Sequence, residues 1–196
     1  MPRWMKKHSR SEDGSNSSQS MPLLHLSDRD LAIRLMRDDD SDYTSLSAWL
    51  TDPRVLEFYE GRDSPQSLED VRTNFNPGLM ALEGTTPCFI EWQGTPIGYI
   101  QFYPSEVEGT WGLDQFIGIP DHWNHGLGTR TVRLMLNFLF ETKHSLKCQL
   151  DPHATNHRAI RCYEKAGFTK VQLLERHELH EGELRDCWLM EAARPA

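Results

Sequence analysis

The stretch GLDQFIGIPDHWNHGLGTRTVRLMLNFLF, Gly112–Phe140, constrains this chain more than any other. It reads as a strand, a turn, and an amphipathic helix that opens on a glycine pair, Gly126 and Gly128. Glycine inside a helix costs roughly 1 kcal/mol against alanine, so its use there needs a reason. The first amides of a helix have no partner within the helix, and the helix dipole favours negative charge beside them. Without Cβ atoms at the junction, a phosphate can approach those amides closely. Gly126, Leu127, Gly128 and Thr129 are therefore candidates to hold a pyrophosphate, Thr129 adding a hydroxyl. Tight packing of the helix start on a sheet is the equal alternative. The Walker pattern is absent, and the dinucleotide pattern GxGxxG is broken by Thr131.

The rest of the chain supplies one α/β domain around that junction. Strand-like alternation over Asp30–Arg37 precedes an acid-capped helix carrying Tyr43, Leu46 and Trp49. Pro53–Pro65 reads as an irregular, exposed segment rich in aromatics and acids. Ser67 and Asp70 form a capping-box pattern for a helix that stops near Gly84. Three strand-like runs follow, TPCFIEWQG, TPIGYIQFYP and GTWGLDQFIGIP, the first two joined by a hairpin signal. Beyond the central helix come the strand SLKCQLDP, the short helix TNHRAIRCYEKAG with a glycine cap, and a final strand pair joined by HEGE. The order predicts a mixed sheet flanked by helices.

Charge and length narrow the function. With 196 residues the chain suits one domain, expected over 21–196. Residues 1–20, rich in Ser, Asn, Asp and Lys, are expected to be a disordered tail. A net charge of −8 argues against non-specific nucleic-acid binding and is compatible with a cationic ligand. No apolar run approaches the ~18 residues of a membrane span. Cys88, Cys148, Cys162 and Cys187 lack CxxC spacing and read as buried free thiols of a cytoplasmic protein. The histidines 122, 125, 153, 157, 177 and 180 lack metalloprotease spacing, and His177 and His180 fall on opposite faces of a strand, so no metal is expected.

HWNHGLGT resembles the pyrophosphate loop of the GNAT acetyltransferase superfamily, and TNHRAIRCYEKAGF resembles its second signature. Trp123 departs from the usual Gln/Arg at the head of the first pattern, a position the amide cradle does not require. Together with TPIGYIQFY, GLDQ and VLEFYEG…SLEDV, these motifs resemble bacterial aminoglycoside 6′-N-acetyltransferases from about Leu31 to Met190. The resemblance implies a mostly antiparallel mixed sheet with acetyl-CoA in a cleft between two splayed strands. It implies a cofactor site at Phe116, Ile117, His125, Gly126–Thr129 and Asn156. It places the substrate amine at Asp114 and a thiolate-protonating hydroxyl at Tyr163.

Acetyl transfer to an amine needs a route for the amine's proton, stabilisation of the oxyanion and a proton for the leaving thiolate. Asp114 stands in an otherwise apolar strand, which fits a carboxylate facing either a cleft or solvent. Asp151 ends the next strand and either pairs with a second ammonium or caps the turn before Pro152. Backbone amides near Phe116 or Ile117 are candidate oxyanion donors. Glu57, Phe58, Tyr59 and, more remotely, Tyr99 and Glu91 are candidate walls for a polycationic sugar. The expected acceptor is an aminoglycoside, with another polyamine, a hydroxylamine precursor or a protein amine as alternatives, and a non-catalytic acyl-CoA or drug binder as the alternative outside enzymes. A monomer or homodimer is expected.

Overall fold

The computed structural model describes residues 24–195; the expected tail, residues 1–20, lies outside them. The strands are β1 (His25–Asp28), β2 (Leu31–Leu35), β3 (Thr86–Trp92), β4 (Thr95–Pro104), β5 (Thr110–Ile117), β6 (Lys147–Leu150), β7 (Thr169–His180) and β8 (Glu183–Ala193). The helices are α1 (Asp40–Trp49), α2 (Pro53–Leu56), α3 (Leu68–Asn74), α4 (Pro77–Leu82), α5 (Leu127–Glu141) and α6 (His157–Ala166). The strands form one sheet in the order β1-β2-β3-β4-β5-β6-β8-β7, antiparallel throughout except for β5 beside β6.

Local chemistry sets most boundaries. Asp39 caps α1 by accepting from the Asp42 amide, and Ser67 and Asp70 cap α3 reciprocally, as the capping-box pattern predicts. The single helix expected up to Gly84 is two. Pro77 lacks an amide hydrogen and keeps Asn76 extended, so Asn76 caps a new helix instead of continuing α3. Gln93 and Gly94 both adopt positive φ, the turn that matches the twist of a β3–β4 hairpin. The sequence reading missed β1, whose four residues pair along β2 as a half-exposed edge.

Both faces of the central strands are covered. On one, Val132, Met135 and Leu139 of α5 are fully buried against Ile33, Ile90, Ile100 and Leu113, each burial worth about 1.5–3 kcal/mol. On the other, Leu46 and Trp49 of α1 pack with Phe75, Phe89 and Tyr99. Phe89 and Ile90, like Tyr99 and Ile100, point to opposite faces, so β3 and β4 read as continuous apolar runs. Tyr59, expected in an exposed segment, is 4% exposed because its ring packs 4.5 Å from that of Phe116. The segment before it is the helical turn α2, opened by Pro53.

Candidate active site

The site begins where two strands part. β5 and β6 pair only over Thr110–Lys147, Trp111–Cys148 and Gly112–Gln149, while β5 runs on to Ile117 with β4 alone. The remaining edge of β5 faces a cleft. The Gly118 amide donates to the Ile97 carbonyl of β4 at 2.8 Å. Backbone groups alternate along a strand, so the amide of Phe116 also turns toward β4, and those of Gln115 and Ile117 turn toward the cleft. Of the two candidate amides, that of Ile117 faces the cleft and that of Phe116 does not. The Ile117 carbonyl, on that same edge, accepts from Trp123 Nε1 at 2.7 Å. Trp123, the departure from the loop pattern, thereby fastens the loop to the strand.

A cavity of about 350 Å³ fills the cleft between β5, β6 and the first turns of α5 and α6. The two glycines at its edge serve different ends. Gly126 caps α5 at φ +78°, where a side chain would be strained, and a Cβ there would meet nothing within 4 Å. No side chain caps this helix start, so its leading amides face open space suited to an anion. A Cβ on Gly128 would instead lie 3.3 Å from Cys162 Sγ and 3.5 Å from Gln115 Nε2, so this glycine lets α6 and β5 approach. The two glycines thus differ: Gly128 packs closely against α6 and β5, while Gly126 leaves the helix start open. Thr129, expected to offer its hydroxyl to phosphate, donates it to the Cys162 carbonyl at 3.3 Å. Asn156 caps α6, accepting from the Ala159 amide at 3.0 Å, and lines the same cavity.

Asp114 is 7% exposed and lines the cavity from β5. Its Oδ2 accepts from Gln101 Nε2 and from the Tyr103 hydroxyl, both at 3.2 Å. Tyr99 in turn donates to Gln101 Oε1 at 2.8 Å, which fixes the amide so that its NH₂ faces the carboxylate. Tyr103 reaches Asp114 by passing over Gly112, where a Cβ would fall 2.2 Å from the ring. Across the cavity stands Tyr163 of α6, 7% exposed. Asp151, at the end of β6, also lines the cavity and meets His177 Nε2 at 3.1 Å. A carboxylate within β5, another just past β6, a phenol from α6 and an uncapped helix start line one cleft.

A family model described as an acetyltransferase (GNAT) domain matches residues 38–176. The chain belongs to the GNAT acetyltransferase family. It is 34% identical over 167 residues to an aminoglycoside N(6′)-acetyltransferase type 1 from Klebsiella pneumoniae, spanning 80% of this chain and 77% of that one. A crystal structure of aminoglycoside acetyltransferase AAC(6′)-Ib with coenzyme A and kanamycin is 31% identical, with a TM-score of 0.72, covering 84% of this chain and 95% of that one. A spermidine N-acetyltransferase from Vibrio cholerae shares the fold at 16% identity and a TM-score of 0.72.

Within this GNAT cleft, Phe58, Tyr59, Asp114, Phe116, Ile117, Gly126–Thr129, Asp151, Asn156 and Tyr163 come together as the sequence reading grouped them. Others do not. Tyr99 is fully buried between Phe75, Phe89 and Phe116, so it supports Gln101 rather than forming a wall. Glu57 and His125 are exposed and do not line the cavity, and Glu91 is bound to Arg34 at 2.6 Å near the far edge of the sheet. Gln101 and Tyr103 were missed, although a glutamine inside the apolar run YIQFY is itself a signal. Arg158 was missed too. Its guanidinium lies 3.8 Å from the Trp123 ring centroid, lining the cavity, and burial pulls its pKa below the ordinary arginine value while Glu57 opposes. None of the described helices is long and apolar enough to cross a membrane.

Proposed function

We propose that this GNAT acetyltransferase transfers the acetyl group of acetyl-CoA to the 6′-amine of aminoglycosides. The observation that carries the proposal is the 34% identity, across 80% of the chain, to an aminoglycoside N(6′)-acetyltransferase. The cleft supports it with the acids Asp114 and Asp151 and the aromatic faces of Phe58, Tyr59 and Phe116, a lining suited to ammonium groups on sugar rings.

The residues fit acetyl-CoA as co-substrate. The uncapped start of α5, opened by Gly126, suits its pyrophosphate, and the free edge of β5 suits the amide groups of its pantetheine arm. Asp114 holds the acceptor ammonium beside the thioester; with Oδ2 tied by Gln101 and Tyr103, Oδ1 is left to meet it. The bound ammonium first loses one proton to solvent, and as the resulting neutral amine attacks, the C–N bond forms and the carboxylate, directly or through water, takes the second proton. A carboxylate is a weak base toward an ammonium, so its larger share is electrostatic positioning. The Ile117 amide supplies a donor for the developing oxyanion. When the C–S bond breaks, the Tyr163 hydroxyl protonates the leaving thiolate and regains a proton from solvent.

The test is release of CoA thiol from acetyl-CoA with kanamycin, which carries a 6′-amine, and with paromomycin, which carries a 6′-hydroxyl. Release with kanamycin alone is expected. Asp114→Asn should lower kcat/KM for kanamycin by at least about tenfold, and Tyr163→Phe should lower kcat more than KM. Equal release with both acceptors would refute the regiochemistry, and silence with both while acetyl-CoA still binds would refute the acceptor class.

A further inference from the structure

Sequence spacing gave no reason to expect a metal, yet the fold gathers three ligand-type side chains from two distant segments. His153, Glu178 and His180 offer ligand atoms that all lie within 4.8 Å of one another. We propose that they form a binding site for one divalent transition-metal ion of the zinc class.

The topology explains why no spacing motif announces the site. β7 shifts its pairing with β8 between Leu174 and Glu178, a bulge that resets which side chains face inward. Beyond it, Glu178 and His180 are two residues apart and share a face. His153 arrives from the turn after β6, held by a bridge to Cys187 and by donation from the Ala154 amide to the Asp186 carbonyl. His177, on the opposite face from His180, is taken by Asp151.

The distances suit a small ion. His153 Nε2 and Glu178 Oε2 are 3.2 Å apart. Bonds of ~2.0–2.2 Å in a tetrahedron separate two ligands by roughly 3.3–3.6 Å. The ligand atoms lie within 4.8 Å of one another, so closing the set needs side-chain adjustments of up to about 1.2–1.5 Å. His180 donates from Nε2 to the Glu57 carbonyl at 2.9 Å, which fixes its tautomer and leaves Nδ1 as its ligand atom. Metal-binding histidines are oriented by this kind of second hydrogen bond. His153 and His180 are 4% and 5% exposed, so an ion there would be shielded from competing water. The Cys187 thiol, fully buried, stands 3.8 Å from Glu178 Oε2 as a further donor. Two imidazoles, one carboxylate and a nearby thiol select zinc-class ions over magnesium or calcium, which prefer oxygen. An ion bound there would tie the turn after β6 to the β7–β8 hairpin and, through His180, to the segment around Glu57.

The test uses the full chain stripped with chelator and titrated with Co²⁺. The visible bands of four-coordinate cobalt, saturating at one equivalent and displaced by Zn²⁺, are expected. His153→Asn and Glu178→Gln should each weaken binding by at least about tenfold, whereas the exposed His144→Asn should leave it unchanged. Glu178→Gln keeps the shape of the carboxylate, so it serves where a histidine variant fails to fold; melting curves in EDTA identify such a failure. Absence of four-coordinate bands at one equivalent, or binding undiminished in folded His153→Asn and Glu178→Gln, would overturn the proposal.

Discussion

Gly112 makes the most direct test of how Asp114 is held. In Gly112→Ala the added Cβ would fall 2.2 Å from Tyr103 Cε2, inside the ~3.5–4.0 Å carbon–carbon optimum by roughly 1.3–1.8 Å. The same Cβ would lie 2.6 and 2.8 Å from two further ring atoms, so a small tilt of the ring does not relieve the clash. Tyr103 must swing away and give up its 3.2 Å hydrogen bond to Asp114. Overpacking of this kind costs about 1–3 kcal/mol, and a lost hydrogen bond to a charged group about 1.5–3 kcal/mol, so a total of about 2.5–6 kcal/mol is expected. The assay is a double-mutant cycle by urea denaturation. Tyr103→Ala removes the ring, after which Gly112→Ala should cost little, giving a coupling energy above about 1 kcal/mol. In parallel, Gly112→Ala should lower kcat/KM for the acceptor, because one of the two groups orienting Asp114 is gone. Additive effects of the two substitutions, or a stable Gly112→Ala enzyme of unchanged kcat/KM, would refute this account.

Three further outcomes follow from other parts of the structure. Gly126→Ala meets no neighbour, so it should cost only about 1–2 kcal/mol for its left-handed backbone while raising the KM for acetyl-CoA more than that for the acceptor, measured by steady-state kinetics. Arg158→Met should likewise raise the KM for acetyl-CoA, since it removes a cation stacked on Trp123 at the cavity wall, and added salt should narrow the gap from wild type. Asp42, fully buried between Arg34 and Arg37, should cost about 3–5 kcal/mol when changed to Ala, read by urea denaturation. Burial pushes the Asp42 carboxyl pKa up, but hydrogen bonds from Arg34 and Arg37 prevail and hold it below the ordinary aspartate value. A lowered folded-state pKa contributes stability above the unfolded value of about 3.9 and loses it as pH falls through the folded value, so the gap between wild type and Asp42→Asn should narrow only below about pH 4.

Particular residues mark how far the sequence could be read. The capping pair Ser67 and Asp70, the hairpin at Gln93–Gly94, the glycine cap at Gly167 and the glycine-led start of α5 are local, and local rules find them. The break at Asn76–Pro77 was legible too, since proline restricts the residue before it, and was passed over because the apolar pattern runs through it. The splay of β5 from β6 was available only through family resemblance, because where two strands stop pairing depends on residues more than thirty positions apart.

The sequence by itself determined the order of elements from β3 onward, the acid-rich composition and the helix start that suits an anion, all consequences of periodicity, capping and glycine placement. Tertiary structure decided which of the candidate residues share one cleft. It buried Tyr99 behind Gln101, turned the Phe116 amide toward β4 and Ile117 toward the cleft, and brought His153 to Glu178 and His180 through a β-bulge. The physical reason is register: in a sheet, one residue of shift sends a side chain and its amide to the other side, and register is fixed by the whole core.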